Sequence, residues 1–150
     1  MMKRRREEDA FECEMLLNHG TDVNTTDEDG ATPLYIACEK GHASMCEMLL
    51  NHGADVNRAD DQGATPLFIA CEKGHDSVCD ILLRRGADVN RAKNDGATPL
   101  FIACYRGHAS VCGMLLSHGA DVNRACKDGT TPLYNASYRG HASEIGRAHV

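Results

Sequence analysis

The chain has 150 residues, of which 42% are hydrophobic and 25% charged, and its formal net charge is -6 at pH 7. These values suit a soluble domain, and the acidic balance argues against a surface built to hold nucleic acid or anionic lipid. No apolar run approaches the roughly 18 to 20 residues of a membrane span, and the opening MMKRRREED lacks the apolar stretch of a secretory signal. We therefore expect a cytoplasmic protein, with the nucleus as a second possibility, that does not insert into membranes.

The first ten residues form a charged extension with no counterpart later in the chain. Lys3 to Arg6 are basic and Glu7 to Asp9 are acidic, which is typical of a solvated segment. A nuclear-import signal is the alternative interpretation, although four basic residues often occur together by chance.

From Phe11 onward a 33-residue unit recurs along the chain. Residues 30–59 and 63–92 are identical at 23 of 30 positions, and the same template returns at 96–125 and starts again at Gly129. Units of this length cannot bury a core alone and must stack on their neighbours. The sequence therefore predicts a solenoid. It has full units at residues 27–59, 60–92 and 93–125, with partial units at 11–26 and 126–143.

Each full unit carries the signals of two short helices and an arm. In the first unit, Thr32 before Pro33 predicts a helix start, because a hydroxyl N-cap precedes a residue whose fixed φ suits the first turn. Gly41 ends this helix, and a second helix is expected to end at a left-handed cap on Gly53. The polar segment after Gly53 is expected to be an extended arm bent at a tight turn. The predicted buried positions are Leu34, Ala37, Cys38, Met45, Cys46, Leu49 and Leu50.

These landmarks resemble those of ankyrin repeats. They are GATPL at 30–34, 63–67 and 96–100, GTTPL at 129–133, Gly-His at 41/42, 74/75, 107/108 and 140/141, and GADVN at 53–57, 86–90 and 119–123. The resemblance implies an all-α ankyrin-repeat solenoid of stacked helix-turn-helix units with β-hairpin or loop fingers. It also implies a concave face that binds other proteins. We therefore expect a protein partner of unknown identity, no small-molecule substrate, no nucleic acid and a monomeric chain.

Two features depart from the family pattern. An aromatic residue at 35, 68, 101 and 134 replaces the histidine that usually follows TPL, which predicts aromatic packing between units. After Ser143 the chain reads EIGRAHV where the template expects an apolar helix. Residues 144–150 are therefore predicted to be a tail foreign to the natural protein, which we expect to continue beyond the last unit. A degenerate capping helix is the alternative.

Residues that suggest metal binding or catalysis have simpler interpretations. Three Cys-x3-His-x3-Cys triples start at Cys38, Cys71 and Cys104, but a glycine turn interrupts each triple and every cysteine falls where a small apolar residue is needed. The carboxylates before Gly30 fail as a calcium loop, because Ile36 stands where a bidentate glutamate is required. No phosphate loop, nucleophile elbow or paired carboxylates can be recognised. We expect no metal, no cofactor and no catalytic activity.

Function is sought at positions that vary between units while the scaffold stays constant. In the ankyrin family these are the finger tips and the inner face of the first helix. In this chain these variable positions are acidic in the first unit and become basic, with tyrosines, in the last unit. Tyr105, Arg106, Tyr138 and Arg139 are expected to anchor the partner, and the acidic end to steer it. The predicted protein-binding residues are Glu28, Asp29, Glu39, Lys40, Asp61, Gln62, Glu72, Lys73, Asn94, Asp95, Tyr105, Arg106, Lys127, Asp128, Tyr138 and Arg139.

An alternative function belongs to a different class. The chain would then be the targeting segment of a larger enzyme, such as a kinase or a ubiquitin ligase subunit, whose catalytic domain lies beyond residue 150. A third hypothesis is contact with RNA or DNA through Lys3 to Arg6 and the basic C-terminal end, which the acidic balance disfavours.

Overall fold

The computed structural model describes Gly20, residues 22–132 and Tyr134. Within this part of the chain the helices come in pairs, one pair in each full unit. They are α1 (Pro33–Lys40) and α2 (Ala43–Asn51), α3 (Pro66–Lys73) and α4 (Asp76–Arg84), and α5 (Pro99–Arg106) and α6 (Ala109–Ser117). The predicted extension at 1–10, most of the partial unit at 11–26, the end of the one at 126–143 and the tail at 144–150 lie outside the described residues.

The helix pairs stack into two rows. The two helices of each pair pack on each other, α1, α3 and α5 form one row, and α2, α4 and α6 form the second. No strand and no helix long and apolar enough to cross a membrane occur in the described part of the chain. The predicted all-α repeat solenoid is confirmed.

The start and end of the first helix follow from the signals in its sequence. The Thr32 hydroxyl accepts a hydrogen bond from the Tyr35 N–H at 3.1 Å, and Pro33 occupies the first turn. At the other end Gly41 has a φ of 75°, and its N–H points to the last carbonyls of the helix. Because a residue with a side chain avoids this left-handed conformation, glycine ends the helix here. The predicted boundaries of α1 are therefore confirmed.

The buried stripe of α2 is narrower than predicted. Cys46 is 0% and Leu49 is 1% exposed, whereas Met45 and Leu50 are only partly buried. Met45 and Ile36 line a cavity of about 510 Å³ at the side of the first unit. In the central unit the residue that corresponds to Met45 is Val78, which is fully buried. The pattern of one unit therefore does not determine how far this position is buried.

Two recurrent side-chain contacts bridge consecutive units. The Asn57 side-chain oxygen accepts a hydrogen bond from the Asp88 N–H at 2.8 Å, and the His75 Nε2 lies 3.0 Å from the Glu39 carbonyl oxygen. Equivalent contacts are those of Asn24 with Asp55, Asn90 with Asp121 and His108 with Glu72. Polar bonds therefore join the units beside the apolar core.

The arms between the helix pairs are tight turns. The Asp60 carboxylate accepts hydrogen bonds from the N–H groups of Gln62 and Ala64, each at 2.9 Å. One backbone hydrogen bond then joins each turn to the next, as from the Asp61 N–H to the Asp29 carbonyl at 3.0 Å. The resemblance allows two forms of finger, a loop or a β-hairpin, and the described fingers have the loop form.

At two junctions the aromatic residue that replaces histidine contacts the next unit. Lys93 in the third unit places its Nζ 5.3 Å from the centre of the Phe68 ring, and Tyr35 forms a hydrogen bond with Asp60 of the second unit. The ring stacking of Phe101 on Tyr105 lies within α5. The contacts at these two junctions run between units, and the partner of the aromatic residue is a charged side chain at the start of the next finger.

Candidate functional site

A groove of about 580 Å³ lies between the finger tips and α1 in the first two units. Asp29 and Asp61 line it from consecutive finger tips, and Glu39 and Lys40 line it from the end of α1. Gln62 also contributes, so five of the predicted binding residues meet here. Finger-tip positions and first-helix positions therefore share one surface at this junction.

The groove is acidic. Asp27 and Asp60 are engaged in their own turns, as in the hydrogen bonds from the N–H groups of Asp29 and Ala31 to Asp27 at 2.9 and 3.0 Å. The carboxylates of Asp29, Asp61 and Glu39 form no ion pair within the described residues. Lys40 supplies a single positive charge against these groups. The groove therefore presents excess negative charge to the solvent.

Tyr35 belongs to the groove and was missed by the sequence analysis. Burial, the Asp60 charge and the hydrogen bond with Asp60 together raise the pKa of the Tyr35 hydroxyl. A signal was available, because the position of Asp60 differs between units: it holds Asp27, Asp60, Lys93 and Cys126 in turn. Variation between units is the criterion that selected the other candidates. The same criterion selects position 60 and leads to Tyr35, the aromatic residue that Asp60 contacts.

A second cluster joins the second and third units. The Arg106 Nη2 lies 3.4 Å from the Glu72 Oε2, and the guanidinium carbon lies 5.5 Å from the centre of the Tyr105 ring. Tyr105 also stacks on Phe101, with ring centres 6.4 Å apart. The Arg106 side chain nevertheless remains 50% exposed. The cluster therefore orients a guanidinium and an aromatic ring and leaves half of the guanidinium side chain open to solvent.

The remaining predicted residues are spread along the fingers and helix ends. Asn94 links two finger tips, because its side-chain nitrogen donates to the Asp61 carbonyl at 3.3 Å. Asp95 lies 3.6 Å from Lys93. Hydrogen bonds from Thr130 lower the pKa of Asp128. Glu28, Lys73, Lys127 and Asp128 are exposed.

Half of the predicted anchor lies outside the described residues. Tyr138 and Arg139 lie outside the described residues, so their position on the binding face stays a prediction. Tyr105 and Arg106 are the members of the anchor that the structure describes together.

The Cys-x3-His-x3-Cys triples do not converge on one point. In the central triple the sulfurs of Cys71 and Cys79 lie 3.7 Å apart, while the His75 ring is directed to the Glu39 carbonyl. Within the described residues no group of three or more His, Cys, Asp and Glu side chains is arranged to hold a metal ion.

Comparisons with known proteins agree with this architecture. A family model described as ankyrin repeats (3 copies) matches residues 6–93 and 91–145. A search of curated proteins finds no match. Ankyrin repeats are generally protein–protein interaction modules and are typically non-catalytic. The match covers most of the sequence and coincides with the stacked helix pairs, so the chain belongs to the ankyrin-repeat family.

Proposed function

We propose that this chain binds another protein, without catalysis, through a concave face made of the finger tips and the exposed side of α1, α3 and α5. The observation that carries the proposal is the groove in which Asp29 and Asp61 of the fingers meet Glu39 of α1. Surfaces that combine a depression with oriented charged side chains favour specific partners.

The proposed anchor is the pair Tyr105 and Arg106, extended by Tyr138 and Arg139. Tyrosine and arginine dominate the binding energy of many interfaces. Contacts with Glu72 and Phe101 restrict the rotamers of Arg106 and Tyr105, so less side-chain entropy is lost when a partner binds. The acidic groove at the other end of the face would guide the orientation of the partner.

Site-specific photo-crosslinking tests which face is used. A photoreactive amino acid is placed at Lys73 on the proposed face and, as a control, at Arg84 on α4, which is 60% exposed. The full chain is irradiated in cell extract, and the attached protein is identified by mass spectrometry. We expect attachment of one protein from position 73 and not from position 84. Equal attachment from both positions would contradict the proposed face.

The identified partner then allows the anchor to be tested by titration calorimetry. Tyr105→Ala and Arg106→Ala are compared with Arg84→Ala, whose ion pair with Asp80 is exposed. Truncation of an anchor residue costs at least about 2 kcal/mol, which corresponds to a roughly 30-fold weaker affinity. Arg84→Ala should leave the affinity unchanged. Wild-type affinity in both anchor variants would refute the assignment of these residues.

The proposal includes a cytoplasmic location. The described cysteines are free thiols, which suits a reducing compartment.

A further inference from the structure

Each helix pair of the described units encloses two thiols that touch each other. The sulfur–sulfur distances are 3.6 Å for Cys38 and Cys46, 3.7 Å for Cys71 and Cys79, and 3.6 Å for Cys104 and Cys112. One cysteine of each pair lies on the first helix of its unit and the other on the second helix. All six are free thiols with exposed fractions of 0% or 1%.

Small side-chain volume alone does not explain these pairs. Ala70, which precedes Cys71, is as fully buried as its neighbour, so the same helix uses alanine where only a small residue is needed. The pairing instead places a reactive group of the first helix against a reactive group of the second. It recurs in all three units, although these units differ at other core positions such as Met45 and Val78.

We propose that each pair is a site of reversible disulfide formation, in which a low-molecular-weight disulfide such as oxidised glutathione links the two helices of one unit. One protein thiol loses its proton, attacks the oxidant and forms a mixed disulfide, which releases one glutathione. The second thiol loses its proton and displaces the remaining glutathione. Two protein thiols are thereby oxidised to one disulfide, and one oxidised glutathione is reduced to two glutathione molecules.

The sulfurs are already in contact and lie roughly 1.6 Å farther apart than the sulfurs of a disulfide bond. The same burial sets the speed of the reaction. Burial and the hydrogen bond with Cys79 raise the pKa of Cys71 well above its ordinary value, which keeps the thiol protonated and unreactive in the closed unit. Oxidation therefore proceeds through transient opening of a helix pair. The partner thiol then closes the bond within the same unit.

The site would connect the redox state to the surface of the protein. Glu72 directly follows Cys71, and Tyr105 directly follows Cys104, so the clamped helices carry residues of the proposed binding face. The disulfide sites themselves do not depend on that proposed function.

Peptide mapping of the full chain tests the proposal. The protein is incubated with oxidised glutathione, with and without urea below the unfolding transition, and the remaining thiols are alkylated. Trypsin cleaves after Lys40, Lys73 and Arg106, each of which lies between the two cysteines of a pair. Every disulfide within a unit therefore leaves two peptides joined. We expect the three joined products within units, and we expect them to form faster in urea, because urea raises the population of opened helix pairs.

Two outcomes would overturn the proposal. The first is full alkylation of all six cysteines throughout the urea series. The second is a set of joined peptides that come mainly from different units or from different molecules, because contact within a unit would then not direct the bond.

A single substitution adds a site-specific control. Cys79→Ala should remove the joined product of the second unit and leave the other two products unchanged. Cys126→Ala is the matched control, since Cys126 belongs to none of the three pairs, and it should retain all three products. Pairing of Cys71 with a cysteine of another unit in Cys79→Ala would count against the proposal. The wild-type map decides the question by itself if Cys79→Ala fails to fold.

Discussion

The contact between Gly41 and His75 predicts a large difference between two otherwise similar substitutions. Gly41 follows α1 with a φ of 75°, and Gly53 follows α2 with a φ of 92°. A methyl group at Gly53 would meet no atom within 4 Å, whereas at Gly41 it would lie 2.8 Å from the His75 ring. Gly53→Ala therefore measures backbone strain alone, while Gly41→Ala adds a clash with the next unit.

The structure allows the two costs to be separated. An alanine in the left-handed region costs roughly 1 to 2 kcal/mol, which is the whole expected effect of Gly53→Ala. In Gly41→Ala the imidazole must also move, which costs about 1 kcal/mol or more of overpacking. That movement breaks the hydrogen bond from His75 to the Glu39 carbonyl, which is worth about 0.5 to 1.5 kcal/mol. We expect a total of about 3 kcal/mol for Gly41→Ala.

Urea unfolding followed by far-ultraviolet circular dichroism measures both variants. A double-mutant cycle isolates the contact, because in a His75→Ala background the cost of Gly41→Ala should fall to that of Gly53→Ala. The reasoning is refuted if Gly41→Ala is no more destabilising than Gly53→Ala, or if removal of the imidazole leaves the cost of Gly41→Ala unchanged.

Two further predictions concern the core and the acidic groove. Ala70 is 0% exposed in the central unit, so Ala70→Leu should lower the free energy of unfolding by about 1 to 3 kcal/mol. Ser77→Leu, at an exposed site of α4, should change it little. Equal urea midpoints for the two variants would contradict this prediction. The pKa of Tyr35 is raised in the folded chain, so above about pH 10 the unfolded chain releases a proton that the folded chain keeps. The contribution of Tyr35 to the free energy of unfolding is therefore present below pH 10 and declines as the pH rises further. Tyr35→Phe should therefore lose stability less steeply than the wild type between about pH 9 and 11, and parallel pH profiles would show that folding does not raise the pKa of Tyr35.

Features set by residues close together in the sequence could be predicted, whereas contacts between units mostly could not. The caps at Thr32 and Gly41 depend on a few neighbouring residues, and the structure has them where the sequence indicates. The burial at one position of the second helix differs between units, from the partly buried Met45 to the fully buried Val78. The contact of Tyr35 with Asp60 depends on how one finger meets the preceding helix.

The cysteines illustrate the same limit. The pattern of the triples indicates small apolar core residues and does not predict that two cysteines of one unit touch. Cys71 and Cys79 occupy different positions of one unit and come together only because the turn at Gly74 folds α4 back on α3. In the groove, the variable positions of the fingers and the first helices were identified, but the concentration of unpaired carboxylates at the first junction required the structure.

The asparagine bonds between units have a consequence for how such a chain can change over time. Asn57 and Asn90 each bind a main-chain N–H of the following unit, a group that every residue except proline provides. This hydrogen bond between units therefore places little restriction on the side chains of the following unit. A whole unit can be duplicated, deleted or exchanged while the same joint is kept, and selection can then alter the surface of one unit at a time without redesigning its neighbours.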